Sequence, residues 1–303
     1  ADRCMFCCDD KHPSDLLEKG HIDFNVREAI RQGVDPIVAV KVACHHAARY
    51  FLLNNRGAIA PGYLADFVVI DSFQEFNILQ VFKKGEELYD GRTVRDFASP
   101  EIDPYLTEKA HDTFHLSRLT AEDFAERRPR GIIGMVPGEI VTVDQGYSDH
   151  IDAEWDILKI AVIERHKNTR HIGVGYLQGY GLKRGAVATS VSHDSHNIIV
   201  VGANEADMAA AANRVAENKG GIVVMEDGQI KGEVVLAIAG LMSDDTLEHV
   251  NRDLEAAKDA AFALGVSREI DPFMTLSFMS LPVIPTLRLT TRGVIDVAKQ
   301  QYV

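Results

Sequence analysis

Apolar residues in this chain recur at two periods, and each marks a kind of element. Leu247, Val250, Leu254, Ala257, Ala261 and Leu264 follow one another at spacings of 3, 4, 3, 4 and 3, the stripe of a helix with one buried face. Asp245 and Glu248 in front of it fit a capping box. Met208, Ala211, Ala212 and Val215 form a second stripe, with Asn204 placed to cap it and Gly220-Gly221 to end it. A third, Ile37, Val40, Cys44, Ala47 and Phe51, follows Asp35-Pro36, an N-cap aspartate with proline in the first turn. Asn25 to Gln32 reads as a helix stopped at Gly33, and residues 13–20 as a short helical or loop segment.

Short, largely apolar runs give the strands. They are Cys4 to Cys8, Phe67 to Ile70, Ile78 to Phe82, Leu158 to Ile163, Ala186 to Ser190 and Ile198 to Val201. Ile222 to Met225 and Ile230 to Ile238 flank Asp227-Gly228, a hairpin signal. The fold class is therefore α/β. The order strand, acidic loop, helix, helix at the N-terminus is that of the last β/α unit of a TIM-type barrel. Four segments follow from the pattern: 1–56 as that barrel end, 57–92 as a small β module, 93–117 as a connector, and 118–303 as a mixed α/β domain. Gly173 to Gly181 is superficially like a phosphate loop but lacks the lysine and hydroxyl residue of one, and reads as a lid or packing loop.

Charge and cysteine content narrow the partners. A formal net charge of −13 over 303 residues argues against nucleic acid and anionic membranes as partners. No run has the length of a membrane span, and the start at Ala1 is no signal peptide, which suggests a cytoplasmic protein whose chain begins inside a strand. Cys4-x-x-Cys7-Cys8 lacks the second ligand pair of a zinc site, so the thiols read as buried and reduced.

Two constellations carry candidate chemistry. Asp9 and Asp10, with His12 close behind, end the first apolar run. They read either as an N-cap pair or as a carboxylate that ligates a metal and shuttles a proton. The second is Ser190-Val191-Ser192-His193-Asp194-Ser195-His196-Asn197, which sets His193, Asp194, His196 and Asn197 between two apolar strands. It is either a polar turn that satisfies its own backbone or a place of substrate or metal contact. His45-His46, adjacent on a helix, share no face and read as structural. Glu164-Arg165-His166 reads equally as a strand's surface end or a site contributor.

These segments resemble a known family. Phe6-Cys7-Cys8-Asp9-Asp10-Lys11-His12-Pro13 followed by Gly20-His21-Ile22-Asp23 resembles the last catalytic strand and loop of the adenine deaminases. Gly57-Ala58-Ile59-Ala60-Pro61-Gly62 with Ala65-Asp66 is similar to the β-module signature of the metal-dependent amidohydrolases. Ser192 to Gly202, Ala239 to Ser243, Pro272 to Phe278 and Leu281 to Pro285 are similar to the C-terminal domain of adenine deaminases. The resemblance implies hydrolytic deamination of adenine to hypoxanthine and ammonia, in purine salvage, at a divalent manganese or iron centre that is binuclear in the complete enzyme. It implies that Asp9 ligates metal and relays a proton, with Asp10 as the fallback, and that His12, His193, Asp194, His196 and Asn197 stand at the site mouth. It also implies a homo-oligomer.

The resemblance has one large departure. None of the twelve histidines forms the His-x-His pair that the family's metal centre takes from its first strand. The chain thus reads as the C-terminal half of an enzyme, inactive without its N-terminal barrel half. The competing readings are a non-catalytic binding or assembly module that kept the fold, and another amidohydrolase acting on a cyclic amide.

Overall fold

The computed structural model describes residues 2–96, 100–126 and 128–303. It divides into two compact units, Ala1–Glu101 and Ile102–Val303.

The first unit holds four helices, α1 (Pro13–Lys19), α2 (Ile22–Arg31), α3 (Pro36–Ala43) and α4 (His45–Tyr50), then the strands β1 (Phe67–Ile70), β2 (Ile78–Lys83) and β3 (Glu86–Tyr89). The strands form an antiparallel meander in the order β1-β2-β3. Its small core gathers Val26, Ala39 and Phe76, with Phe6, Ile30 and Ile70 against them.

Two expectations fail in this unit. The run Cys4 to Cys8 has no regular secondary structure and joins no sheet, and Ala1 lies outside the described residues. A strand needs a ladder, and the described contacts of this run are single bonds: Phe6 N to Val42 O, His46 Nδ1 to Cys4 O and Asn25 Nδ2 to Cys7 O. The helix from Asp35 to Phe51 is broken at Cys44, where the backbone turns to φ −111, ψ −67. Its buried positions are Ala39, Val42 and Ala48, whereas Ile37 and Phe51 are exposed. Close approach explains this choice of face. A Cβ on Gly57 would stand 2.6 Å from the Cβ of Ala48 and 3.0 Å from the carbonyl of Cys44, so the chain packs onto the small-residue side of α4.

The second unit begins with α5 (Pro104–His111), inside the segment read as a connector, of which 97–99 lie outside the described residues. Its strands are β4 (Arg130–Met135), β5 (Thr142–Ser148), β6 (Leu158–Ile163), β7 (Ile172–Gln178), β8 (Ala186–Thr189) and β9 (Ile198–Gly202). Helix α6 (Glu205–Glu217) leads to the hairpin β10 (Gly221–Glu226) and β11 (Gln229–Val235). Then come α7 (Leu247–Ala263), α8 (Met274–Phe278) and the strands β12 (Leu287–Thr290), β13 (Gly293–Asp296) and β14 (Gln301–Tyr302). Eight strands form one mixed sheet in the order β11-β10-β8-β9-β6-β7-β4-β5, antiparallel throughout except for β4 beside β7.

The largely apolar runs are explained by cover on both faces. Along β6, Ile160 and Val162 point to the side covered by α7, α8 and the β12–β13 hairpin. Ala161 and Ile163 point to the side covered by α6 through Met208, Ala211, Ala212 and Val215. Asn204 caps α6 as its sequence indicates, accepting from the Asp207 amide. The cap of α7 sits one residue beyond the expected capping box, for Thr246, not Asp245, accepts from the His249 amide.

The glycine-rich run is not a loop. Gly173 to Gln178 is most of β7, fully buried in its middle. Its glycines are notches: a Cβ on Gly173 would stand 1.8 Å from Thr290 O, and one on Gly175 2.5 Å from Val294 Cγ2. Side chains there would hold the β12–β13 hairpin off the sheet.

Candidate functional site

The two constellations lie in different units. In the first unit, Asp9 and Asp10 are exposed and His12 half-buried. The N-cap reading of the aspartates does not hold, because His12 occupies the cap of α1 ahead of Pro13 without a side-chain cap bond. Asp9 Oδ1 instead accepts from the Asp10 amide at 3.0 Å.

In the second unit the segment from Ser190 to Asn197 leaves β8, turns and enters β9. Several groups on the turn are held from distant parts of the chain. Ser190 Oγ donates to Gly240 O at 2.6 Å and accepts from the Gly221 amide at 2.8 Å. The Oγ atoms of Ser192 and Ser280 lie 2.6 Å apart, and Ser280 Oγ reaches His193 O at 2.9 Å. The His193 amide donates to Ser277 O at 3.1 Å, and its ring stacks on Phe278 with centroids 4.7 Å apart. The His196 ring stands at 61° to that of His193, 5.8 Å away. Asp194 is exposed, 3.8 Å from His193 Nδ1.

Arg165 fixes the far side of the turn. Its guanidinium, 1% exposed, donates from Nε to His196 O at 2.6 Å, from Nη1 to Thr113 O at 2.7 Å and from Nη2 to Ala239 O at 2.9 Å, and it lies 4.1 Å over the Phe114 ring. Burial pulls its pKa down to about 10, and the acceptors on it are three carbonyls and the Thr113 hydroxyl, each a dipole rather than a counter-charge. His196 sits at φ 47, the left-handed region, and its carbonyl is the one Arg165 Nε holds. Burial, followed by the nearby His193 and Arg165, depresses the His196 pKa, which keeps its imidazole neutral at pH 7. Glu164 and His166 flank this staple. Burial pushes the Glu164 carboxyl up, but bonds from Thr169, His166 and Lys167 outweigh it and bring the pKa to about 2. His166 Nε2 lies 2.9 Å from Ser195 O.

The structure thus gathers His193, Asp194, His196 and Asn197 with Arg165, Phe278, Ser277 and Ser280. The pattern raised Arg165, within Glu164-Arg165-His166, as a possible site contributor and held Phe278 inside a motif, but gave no role to Ser277 or Ser280. His45-His46 stay outside any site, and His46 contacts the Cys4 carbonyl.

The described residues do not assemble a metal centre. Among them no group of three or more histidine, cysteine or carboxylate side chains is placed to hold an ion. Asp9 provides one carboxylate, short of the ligand set that manganese or iron takes. No helix among the described residues is long and apolar enough to cross a membrane.

Two family models match the chain. The adenine deaminase C-terminal domain matches residues 138–301, and the amidohydrolase family matches residues 2–88. The chain is similar to an adenine deaminase of Desulfatibacillum aliphaticivorans, 44% identical over 97% of this chain and 52% of that protein. It is similar to adenine deaminase 1 of Rhizobium etli, 43% identical over 97% and 52%. Adenine deaminase 2 of Carboxydothermus hydrogenoformans is 42% identical over 98% of this chain and 53% of that protein. The chain spans about half the length of the curated relatives it matches.

Proposed function

The chain belongs to the family defined by the adenine deaminase C-terminal domain, and from that membership we propose that it serves the hydrolytic deamination of adenine to hypoxanthine and ammonia. The observation that carries the proposal is the match over 138–301, which includes the whole His193–Asn197 turn. In this reading residues 1–56 are the last β/α unit of a TIM-type barrel, 57–92 its β module and 118–303 the family's own domain.

Asp9, with Asp10 beside it, is the carboxylate the chain brings to the reacting amine. It is also the one ligand the chain offers to a binuclear manganese or iron centre, whose other donors come from outside these residues. A divalent ion of that kind acidifies water near neutral pH. The described residues do not complete such a centre. The reading includes a cytoplasmic role in purine salvage and a homo-oligomer.

The test is ammonia release from adenine. The purified chain is assayed with manganese or iron, first alone and then refolded with a polypeptide matching the N-terminal half of the curated relatives. The expected result is no turnover alone and turnover together. Turnover by the chain alone would refute the shared metal centre. No turnover and no bound metal in the mixture would refute the deaminase reading in favour of a non-catalytic module.

A further inference from the structure

The link between β4 and β5 and the start of α8 border an open cavity of about 220 Å³ in the second unit. Its apolar lining comes from Ile140, Ile270, Met274, Phe278 and Met279. Ile270 and Met279, at 8% and 1% exposure, lie deepest, and Ile140, 52% exposed, stands at the mouth. The α8 side is held in place without a ligand. Asp271 Oδ1 accepts from the Phe273 and Met274 amides at 3.0 and 2.8 Å, and Pro272 O accepts from the Tyr180 hydroxyl at 2.9 Å. A preformed apolar cavity of this size suits a small molecule.

The charge around it has one sign. Glu139, Glu269 and Asp271 border the cavity, and no lysine, arginine or histidine does. Asp271 Oδ2 has Lys258 Nζ at 3.3 Å. Glu139 and Glu269 are exposed and have no ion-pair partner among the described residues. The neighbouring cations are committed elsewhere. Lys258 also stands 3.4 Å from Glu255, Arg268 lies 4.6 Å over the Phe262 ring, and the fully buried Arg288 donates to the Ile140 carbonyl. A bare metal ion does not fit, because no three ligating side chains among the described residues are placed to hold one. Two uncompensated carboxylates beside a phenyl ring and two thioethers suit a cation that carries an apolar body.

We propose that this cavity binds a small organic ammonium ion, a primary amine whose apolar body lies against Met274, Phe278 and Met279 while Glu139 and Glu269 take its charge. Phe278 also stacks on the His193 ring with centroids 4.7 Å apart, so an occupant is felt at the His193–Asn197 turn. The site is separate from the substrate chemistry proposed above, and its ligand is told from adenine by charge, adenine being neutral at pH 7.

The test measures dissociation constants of benzylammonium, benzyl alcohol, benzoate and adenine for the full 303-residue chain at low salt, by NMR with methyl-labelled methionine. Benzylammonium is expected to bind at least about fivefold tighter than benzyl alcohol, with benzoate weaker still. The Met274 and Met279 methyl signals should move with it, and the His193 ring signals should follow at the same concentrations. Glu139→Gln with Glu269→Gln, both at exposed positions, should bring benzylammonium to within about twofold of the alcohol. If that variant does not fold, the series on the unsubstituted chain reads the same preference. Equal binding of the amine and the alcohol, no binding of the amine, or shifts confined to other methionines overturns the proposal. So does adenine moving the same two methyl signals at lower concentration than benzylammonium.

Discussion

Gly173→Ala is expected to be among the most destabilising single-methyl changes in the second unit. The added Cβ would lie 1.8 Å from Thr290 O and 2.6 Å from the Gly293 amide, both backbone atoms of the β12–β13 hairpin. The hairpin must retreat by roughly 1.5 Å before contact at 3.4 Å becomes ordinary, and a gap of that size forfeits about half or more of the packing attraction across it. Leu287, Leu289 and Val294, at 1%, 0% and 0% exposure, lose that packing together. Each such side chain is worth about 1.5–3 kcal/mol on full burial, so about half of three of them is ~2–4 kcal/mol. Strain from overpacking adds ~1–3 kcal/mol. The expected loss is ~3–7 kcal/mol, a large part of the ~5–15 kcal/mol that holds a typical domain folded. Urea denaturation of the second unit gives the magnitude, and hydrogen exchange gives the location. The Leu289 amide, bonded to Met279 O at 2.9 Å, should lose protection while amides of β8 and β9 keep theirs up to the global limit. A loss below ~1 kcal/mol with Leu289 still protected would refute the notch argument.

Asp156→Ala should cost ~2–4 kcal/mol, because Oδ1 and Oδ2 accept from the Gly181 and Gly179 amides at 2.7 Å each and both amides would be orphaned; a melting shift no larger than that of an exposed alanine substitution would count against it. Glu164, held near a pKa of about 2 against 4.5 when free, contributes stability that is fully present above pH 4.5 and fades as pH falls toward 2. After a discount for its partial exposure this is ~1 kcal/mol, so Glu164→Gln should flatten that stretch of the acid unfolding curve, and an unchanged curve would refute the assignment. Thr246→Ala should cost ~1 kcal/mol as the loss of the α7 cap, and Asp245→Ala less than half of that; the reverse order in thermal melts would restore the capping box expected from sequence.

Much of the second unit was legible because its signals are local. Leu158 to Ile163 (Lys159 apart, which is buried against Glu205), Ile198 to Val201 and the α6 stripe are apolar where the structure buries them, and Asp227-Gly228 makes the hairpin it signals. β7 was not legible, because glycines chosen for a hairpin more than a hundred residues away in the chain look locally like a loop. The face of α3 and α4 was misread for a related reason. Size followed the neighbour at Gly57, so alanine went inside and Ile37 and Phe51 outside. At the candidate site the polar turn was visible as a cluster, but the residues that hold it come from 113, 165, 239, 277 and 280. Only the fold brings those positions together.

The parallel contact of β4 with β7 and the late arrival of β12 and β13 bear on how the unit is made on the ribosome. Thr142 Oγ1, at the start of β5, donates to Leu287 O and accepts from the Thr286 and Leu287 amides. During synthesis at about 5–20 residues per second, β4 and β5 leave the exit tunnel on the order of ten seconds or more before those partners exist. Through that interval one face of the nascent sheet has no cover at Ile133 and Leu177, which pack with Leu289 and Val294 in the finished unit. Folding of this unit is therefore completed only after its last strands have been translated. Shortening the chain ahead of Pro285 is expected to give an aggregating product rather than a smaller stable one.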